Sequence, residues 1–150
     1  MRRKDREISE AEAIEILKKC EFGVLSFIDE LNFPYAIPIS YAYGEKRIYL
    51  HGALEGKKID LLSNRPQVSF VCVGATHLLP AQFSTNYESA IVIGKGYIVL
   101  DEEEKRKGLR ALSAKYSPDY EKESEAYING SLDKTAVIAI EIESITGKRR

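Results

Sequence analysis

The sequence predicts an α+β fold, mainly β, in which about six antiparallel strands close into a barrel with flanking helices. Apolar and polar residues alternate from Pro34 to Tyr43, and the turn Gly44-Glu45-Lys46 leads into a further strand. Helical patterns are confined to the N-terminus and to inserted segments. No GxGxxG or P-loop sequence opens a helix after a strand. The hairpins and the two-residue period therefore argue against a doubly wound parallel sheet.

The totals describe an ordinary globular protein. The chain of 150 residues fits a single domain, residues 1–150. Its 22 basic and 23 acidic residues give a net charge of -1, so charge supplies no reason to bind nucleic acid. Apolar runs are too short for a bilayer, and no apolar segment follows the basic N-terminus. We expect a cytoplasmic protein without a membrane segment, with Cys20 and Cys72 as reduced structural thiols.

The elements follow from local signals. The capping box Ser9-Glu10-Ala11-Glu12 predicts a helix that ends near Lys19. Further helices are predicted at about Gly56 to Ser63, Glu102 to Lys115 and Tyr120 to Tyr127. Strands are predicted at Phe22 to Ile28, Pro34 to Tyr43, Arg47 to Gly52, Gln67 to Val73, Ser89 to Leu100 and Thr135 to Ile145.

Two further segments of the sequence are informative, a predicted loop and a glycine-containing strand. Gly74 to Glu88 is predicted to be a long irregular loop, and loops of that length are usually functional or part of an interface. Gly94 and Gly96 lie on one face of a long strand, where glycine costs chain entropy. They indicate a bend, a barrel corner or a close ligand contact, and we expect the bend.

The second strand has a face of small residues. These are Ala36, Pro38, Ser40 and Ala42, while Tyr and Ile residues occupy the other face. A small-residue face allows a flat ligand to approach the backbone closely. From this strand alone, however, we expect the small face to pack under the N-terminal helix with nothing bound.

The stretch IYLHGALEGKKIDLL, residues 48–62, forms a strand-to-helix corner. Gly52, Ala53 and Gly56 keep its backbone accessible, and Lys57 and Lys58 begin the helix. Two cations at the positive end of a helix dipole are locally unfavourable. A bound anion, most plausibly a phosphate, would offset this cost, whereas the alternative is a solvated lysine pair. The combination favours a phosphate site.

The two histidines are separate features. His51 ends the strand before this corner, and a lone histidine is either a structural residue or a group that contacts a ligand. His77 lies in the predicted loop and is not spaced from His51 as a metal pair, so we predict no metal site. Neither the serines nor the cysteines lie in the sequence context of a catalytic nucleophile.

An ordered set of motifs resembles one family over the whole chain. The set comprises Met1 to Ile8, Phe33 to Tyr43, Ile48 to Ala53 with Gly56-Lys57-Lys58, Tyr87-Glu88-Ser89 before the Gly94 strand, Glu104-Lys105, and Ile145 to Lys148. It resembles the FMN-binding split-barrel proteins related to pyridoxamine 5'-phosphate oxidase, most closely the nitroimidazole-resistance branch. The resemblance implies a six-stranded antiparallel split β-barrel.

The resemblance also implies a homodimer with FMN at the subunit interface. The residues implied to line the flavin ring are Pro38, Ile39, Ser40, Tyr41, His51, Gly52 and Ala53. Lys57 and Lys58 would hold the phosphate, and His51 would lie near the reactive edge of the ring as the catalytic residue. Asn86 and Tyr87 would reach the flavin from the partner subunit, and Ser89 and Lys148 complete the cofactor-binding set.

The implied activity is reduction of small organic compounds, such as nitroaromatics, with an external electron donor. Because flavin chemistry belongs largely to the cofactor, the lack of a catalytic triad is compatible with this activity. One alternative is a flavin-binding carrier or sensor without robust catalysis. Another is a split barrel that binds haem or a deazaflavin instead, and haem would require His51 or His77 as an axial ligand.

Overall fold

The computed structural model describes residues 2–150, in which one antiparallel sheet of eight strands is flanked by four α-helices. The strands are β1 (Glu7–Ile8), β2 (Phe22–Ile28), β3 (Pro34–Ser40), β4 (Ala42–Gly44), β5 (Arg47–Gly52), β6 (Gln67–Leu79), β7 (Ser84–Ile98) and β8 (Ala136–Arg149). The helices are α1 (Glu10–Lys19), α2 (Lys57–Asn64), α3 (Glu102–Tyr116) and α4 (Glu121–Ser131). The predicted α+β class is confirmed.

The sheet closes into a barrel at Tyr41. The strand order is β3-β2-β6-β7-β8-β5-β4, so the two outermost strands are consecutive in the chain and only Tyr41 separates them. The Tyr41 amide donates to the hydroxyl of Tyr116 on α3 at 2.9 Å. The same hydroxyl lies within hydrogen-bond distance of the carbonyl oxygens of Tyr41 and Glu21. The structure has eight strands where the sequence predicted six. The break at Tyr41 divides one predicted strand into two, and β1 is too short, at two residues, to be recognised.

Helix α1 forms as predicted and packs one face against the main core of the barrel. The Glu12 amide donates to Ser9 Oγ, and the Ser9 amide donates to Glu12 Oε2, which completes the capping box. Ala13, Ile16 and Leu17 are buried in the main core. A second core lies under α3 and α4, where buried residues of both helices pack on β5 and β8.

The small face of β3 does not pack under α1, so that expectation was wrong. Tyr35, Ile37 and Ile39 pack against the main core instead. Ala36, Pro38 and Ser40 are exposed on the opposite side. The orientation follows from size, because burying the larger Tyr and Ile side chains removes more apolar surface from water. Ala42 lies beyond the break at Tyr41 and is buried in the second core.

The predicted loop from Gly74 to Glu88 is instead a β-ribbon, which we call the arm. Strands β6 and β7 remain paired through it, with His77 opposite Asn86. A 3-10 turn at Pro80–Gln82 reverses the chain, and none of the residues 74–88 is buried. The sequence pattern obscured the arm because a register shift between Val73 and Thr76 interrupts the alternation.

The last two strands of the sheet are β7, which contains Gly94 and Gly96, and β8. β8 runs to Arg149, beyond the predicted end at Ile145, and Lys148 there pairs with Ser89 of β7. The predicted bend is confirmed at Gly94, where the register of β7 against β8 shifts. No helix within residues 2–150 is long and apolar enough to cross a membrane.

Candidate functional site

The strand-to-helix corner brings Gly52, His51 and Lys58 together. Gly56 precedes α2 with φ at 120°, a conformation that favours glycine, and turns the chain from β5 into the helix. The half-buried Lys58 side chain crosses Gly52 so closely that a Cβ at Gly52 would collide with its ammonium group. The Lys58 ammonium group therefore lies directly over the backbone of Gly52.

Lys57 does not join this cluster. Its ammonium lies 4.0 Å from the ring centroid of Tyr35, a cation–π contact on the other side of the corner. The two lysines that the sequence places together thus face different surfaces. Lys58 is the one that lies at the corner with His51, and Ala53 follows as an exposed residue.

His51 lies at the mouth of a cavity between the sheet and the two later helices. His51 is exposed at its outer edge, and partial desolvation of its ring and, to a smaller extent, the Lys58 ammonium lower the pKa of His51 from its ordinary value. The imidazole is therefore mainly neutral at pH 7, with one nitrogen as a donor and the other as an acceptor.

This cavity, which we call the helical cavity, has a volume of about 230 Å³. Ser40 and His51 form its wall on the sheet side. The remaining lining residues come from α3, α4 and their flanks: Leu109, Leu112, Ser113, Tyr116, Ser117, Tyr127, Ile128, Ser131 and Thr135. Sequence reasoning missed these residues. Leu109, Ser113 and Tyr116 share a face of α3 at i, i+4 and i, i+3 spacing, but nothing in the sequence shows where α4 packs.

The residues implied around the flavin ring separate into two kinds. Pro38 and Ser40 lie on the exposed side of β3, at the end nearest the corner. Ile39 packs against the main core, and Tyr41 is fully buried with its hydroxyl donating to the Leu17 carbonyl. A ligand on this surface would therefore meet Pro38 and Ser40.

The exposed side of β3 continues across three more strands, and we call this surface the outer face. Its residues are Pro34, Ala36, Pro38, Ser40, Phe22, Val24, Ser26, Ile28, Ser69, Val71, Val73, Ser89, Ile91 and Ile93. Two rows cross all four strands in register, Pro38-Val24-Val71-Ile91 and Ala36-Ser26-Ser69-Ile93. None of these residues is charged, and the surface ends at Lys95 on β7 and at Lys148, which pairs with Ser89. Exposed sides of antiparallel sheets are usually polar.

A second group of predicted residues gathers where the arm leaves the barrel. The Lys148 ammonium lies 5.6 Å from the ring centroid of Tyr87. Hydrogen bonding to Lys148 lowers the pKa of Tyr87, and Arg6 contributes in the same direction. Asn86 and Tyr87 line a cavity of about 220 Å³ with Thr76, His77 and other residues. Sequence reasoning missed Arg6, which lies far from Tyr87 in the chain.

The two groups are separate within one chain. His51 pairs with Val137 near one end of β8, and Ser89 pairs with Lys148 near the other end. At about 3.3 Å per residue, these positions are on the order of 35 Å apart along the strand. The cavities of the two groups have no lining residue in common. His77 lies with the second group, and within residues 2–150 no three His, Cys, Asp or Glu residues cluster as metal ligands.

Comparisons with known structures support the fold. A candidate 5-nitroimidazole antibiotic resistance protein from Bacteroides thetaiotaomicron is 25% identical, with a TM-score of 0.82 over 95% of this chain and 86% of that chain. An FAD-binding protein from Mesorhizobium loti is 21% identical, with a TM-score of 0.72 over 97% of each chain. An FAD and heme binding protein from Mycobacterium smegmatis is 17% identical, with a TM-score of 0.81 over 96% and 73%.

The strand order and the closure at Tyr41 define a split β-barrel, the fold that these structures share. The sequence model for pyridoxamine 5'-phosphate oxidase matches residues 9–149. The chain belongs to the pyridoxamine 5'-phosphate oxidase family, which confirms the family that its motifs indicate. No curated protein sequence matches the chain.

Proposed function

We propose that the protein binds FMN and reduces small organic compounds of the nitroaromatic type. The observation that carries this proposal is the corner, where Lys58 lies over Gly52 and no side chain caps the free amides at the start of α2. A phosphate at that position would accept hydrogen bonds from these amides and a charge-assisted bond from Lys58. The exposed small residues Pro38 and Ser40 leave room for a flat ring next to it.

The chemistry follows from what such a site would hold. Bound FMN would supply the electron transfer between an external donor and the acceptor. Reduction of a nitro group to a nitroso group takes up two electrons and two protons and releases water. His51 would lie beside the acceptor at the mouth of the helical cavity, where its N–H donates a hydrogen bond to an acceptor oxygen.

We further propose a homodimer with the flavin at its interface. The outer face is contiguous and uncharged, and five of its large apolar side chains are exposed. Monomeric soluble proteins rarely present such a surface. The arm has no buried residue of its own, and a two-stranded ribbon without support is marginally stable in water. A second copy would cover the face, support the arm, and bring Asn86 and Tyr87 to the flavin bound by the first copy.

Cys20 and Cys72 are both free and buried, which fits the reducing cytoplasm.

The first test is an absorption spectrum of the purified protein before and after addition of FMN, with the released ligand identified. We expect flavin bands at about one FMN per chain. A Soret band would favour haem, with His51 or His77 as its ligand. A colourless protein that does not respond to FMN would overturn the proposal.

The phosphate contact has a sharper test. We expect Lys58→Ala to weaken FMN binding by about tenfold or more, because charge-assisted hydrogen bonds contribute roughly 1.5–3 kcal/mol. Fluorescence titration with riboflavin is the control, since riboflavin lacks the phosphate and its affinity should not change. Lys57→Ala is the matched variant, with a smaller effect because Lys57 faces Tyr35. Equal loss of riboflavin and FMN binding would contradict the phosphate assignment.

A further inference from the structure

We propose that the helical cavity binds the acceptor substrate and selects uncharged molecules of one aromatic or heteroaromatic ring that carry hydrogen-bond acceptors. The identification of this ligand as a substrate rests on the proposed function. The binding preference itself rests on the cavity alone.

The first argument is size. The helical cavity has a volume of about 230 Å³. A cavity of about 150 Å³ holds benzene. The helical cavity therefore has room for one ring with one or two small substituents. It is too small for a fused ring system of the size of a flavin.

The second argument is the chemistry of the lining. Leu109, Leu112 and Ile128 are buried and form an apolar floor. The polar lining groups are hydroxyls and the His51 imidazole, and no Asp, Glu, Lys or Arg lines the cavity. The hydroxyls of Tyr116 and Ser131 already donate to backbone carbonyls. The other hydroxyls and an imidazole N–H can donate hydrogen bonds to nitro, carbonyl or ring-nitrogen acceptors. A carboxylate or ammonium would lose its hydration there without gaining a charged partner.

A neighbouring cavity differs from the helical cavity in having charged residues in its lining. It lies on the other side of Ser113, has a volume of about 370 Å³, and is lined by Arg110, Glu121 and Glu125 among others. An ion pair of 2.6 Å joins Arg110 to Glu125 in its wall. Although this cavity is larger, its charged wall does not favour an uncharged ring.

The third argument is position. Ser40 and His51 belong both to the helical cavity and to the surface that we propose for the flavin ring. A ring held in the cavity would therefore lie next to the flavin, between the sheet and helices α3 and α4. Of the residues in the proposed flavin site, only these two line the cavity, so they form its junction with the flavin.

The experiment compares two probes of the same shape and different charge. Isothermal titration calorimetry measures the binding of 4-nitrobenzamide and 4-nitrobenzoate to the full chain, with and without FMN. We expect 4-nitrobenzamide to bind at least about tenfold more tightly, a difference of about 1.4 kcal/mol. Equal or tighter binding of 4-nitrobenzoate would overturn the proposed selectivity.

A matched pair of variants locates the probe. Ser131 and Ser124 both lie on α4, and each hydroxyl donates to a backbone carbonyl within its own helix at 2.8 Å. Ser131 lines the helical cavity, whereas Ser124 does not. We expect Ser131→Leu to weaken 4-nitrobenzamide binding at least about tenfold, and Ser124→Leu to change it less than about twofold. Equal effects of the two substitutions would overturn the location.

Two further measurements separate the possible failures. Thr135→Leu fills the same cavity from the strand side and replaces Ser131→Leu if that variant does not fold. FMN affinity is measured by fluorescence in every variant. A wild type that does not bind FMN would refute the proposed function. Probe binding to the flavin-free chain would still test the proposed ligand preference of the helical cavity. Intact FMN binding with no probe bound would refute the cavity alone.

Discussion

Lys57 and Lys58 are neighbours in the sequence but contact different surfaces. The sequence correctly placed both at the start of a helix. It did not show which side chain points to the corner, because successive helical residues differ by about 100° in direction and the starting angle is set by Gly56 at φ 120°. Lys58 crosses Gly52, and Lys57 packs on Tyr35. The orientation depends on a tertiary contact that only the structure contains.

His51 provides a test of this geometry that does not need a flavin. Desolvation lowers the pKa of His51, and the Lys58 ammonium lowers it further because a cation disfavours a protonated imidazole. We expect Lys58→Met to raise the pKa of His51 towards its ordinary value of about 6.5, without fully reaching it because desolvation remains. At pH 6 the protonated fraction of His51 therefore increases. An NMR titration of the histidine ring protons measures the shift.

The control for this titration is Lys57→Met. Because the Lys57 ammonium lies on Tyr35, its removal should leave the pKa of His51 unchanged. An equal rise in both variants would mean that the pKa responds to net charge rather than to the contact across Gly52.

At the scale of the elements, local signals predicted most of the regular structure. The capping box at Ser9 and the β-rich run from Phe22 to Ile28 were sufficient because each is one uninterrupted local signal. The arm was missed because a bulge after Val73 resets the alternation. The division at Tyr41 was missed because its apolar side chain continues the strand pattern while its amide donates to Tyr116. In both places a long-range contact decides the structure.

The bend at Gly94 yields a prediction at this scale. A Cβ on Gly94 would collide with the carbonyl oxygen of Glu141 on β8, and a backbone atom within a sheet has little room to move. We expect Gly94→Ala to lower the free energy of unfolding by about 2 kcal/mol or more. Urea denaturation monitored by circular dichroism measures the change.

A second glycine serves as the control. Gly130 lies in α4 with no atom within 4 Å of an added Cβ. Gly130→Ala should therefore raise the free energy of unfolding by about 0.5–1 kcal/mol through helix propensity. If both variants changed stability in the same direction, the close approach of β7 and β8 at Gly94 would not be the constraint that requires glycine.

For the whole molecule, the placement of the predicted residues gives the argument for a dimer. The corner and the group around Tyr87 lie near opposite ends of β8 within one chain. Sequence motifs indicated both groups but not their separation, because the distance between them depends on the barrel and on the length of β8. A two-fold arrangement of two chains through the outer face would let each copy place its Tyr87 group beside the corner of the other copy.

The outer face gives the decisive prediction at this scale. Ile91 lies in a row that crosses four strands, so Ile91→Lys would bury an unpaired charge in each copy of a two-fold interface. We expect analytical ultracentrifugation to show two chains per particle for the wild type and one for Ile91→Lys, with FMN affinity lowered by about tenfold or more. Leu100→Lys is the control, because Leu100 is also exposed but lies outside the outer face. Since Ile91 is exposed in the single chain, the circular dichroism spectrum should stay unchanged. A dimeric Ile91→Lys variant would exclude this face as the interface, and a monomeric wild type with tightly bound FMN would show that one chain is sufficient for the flavin site.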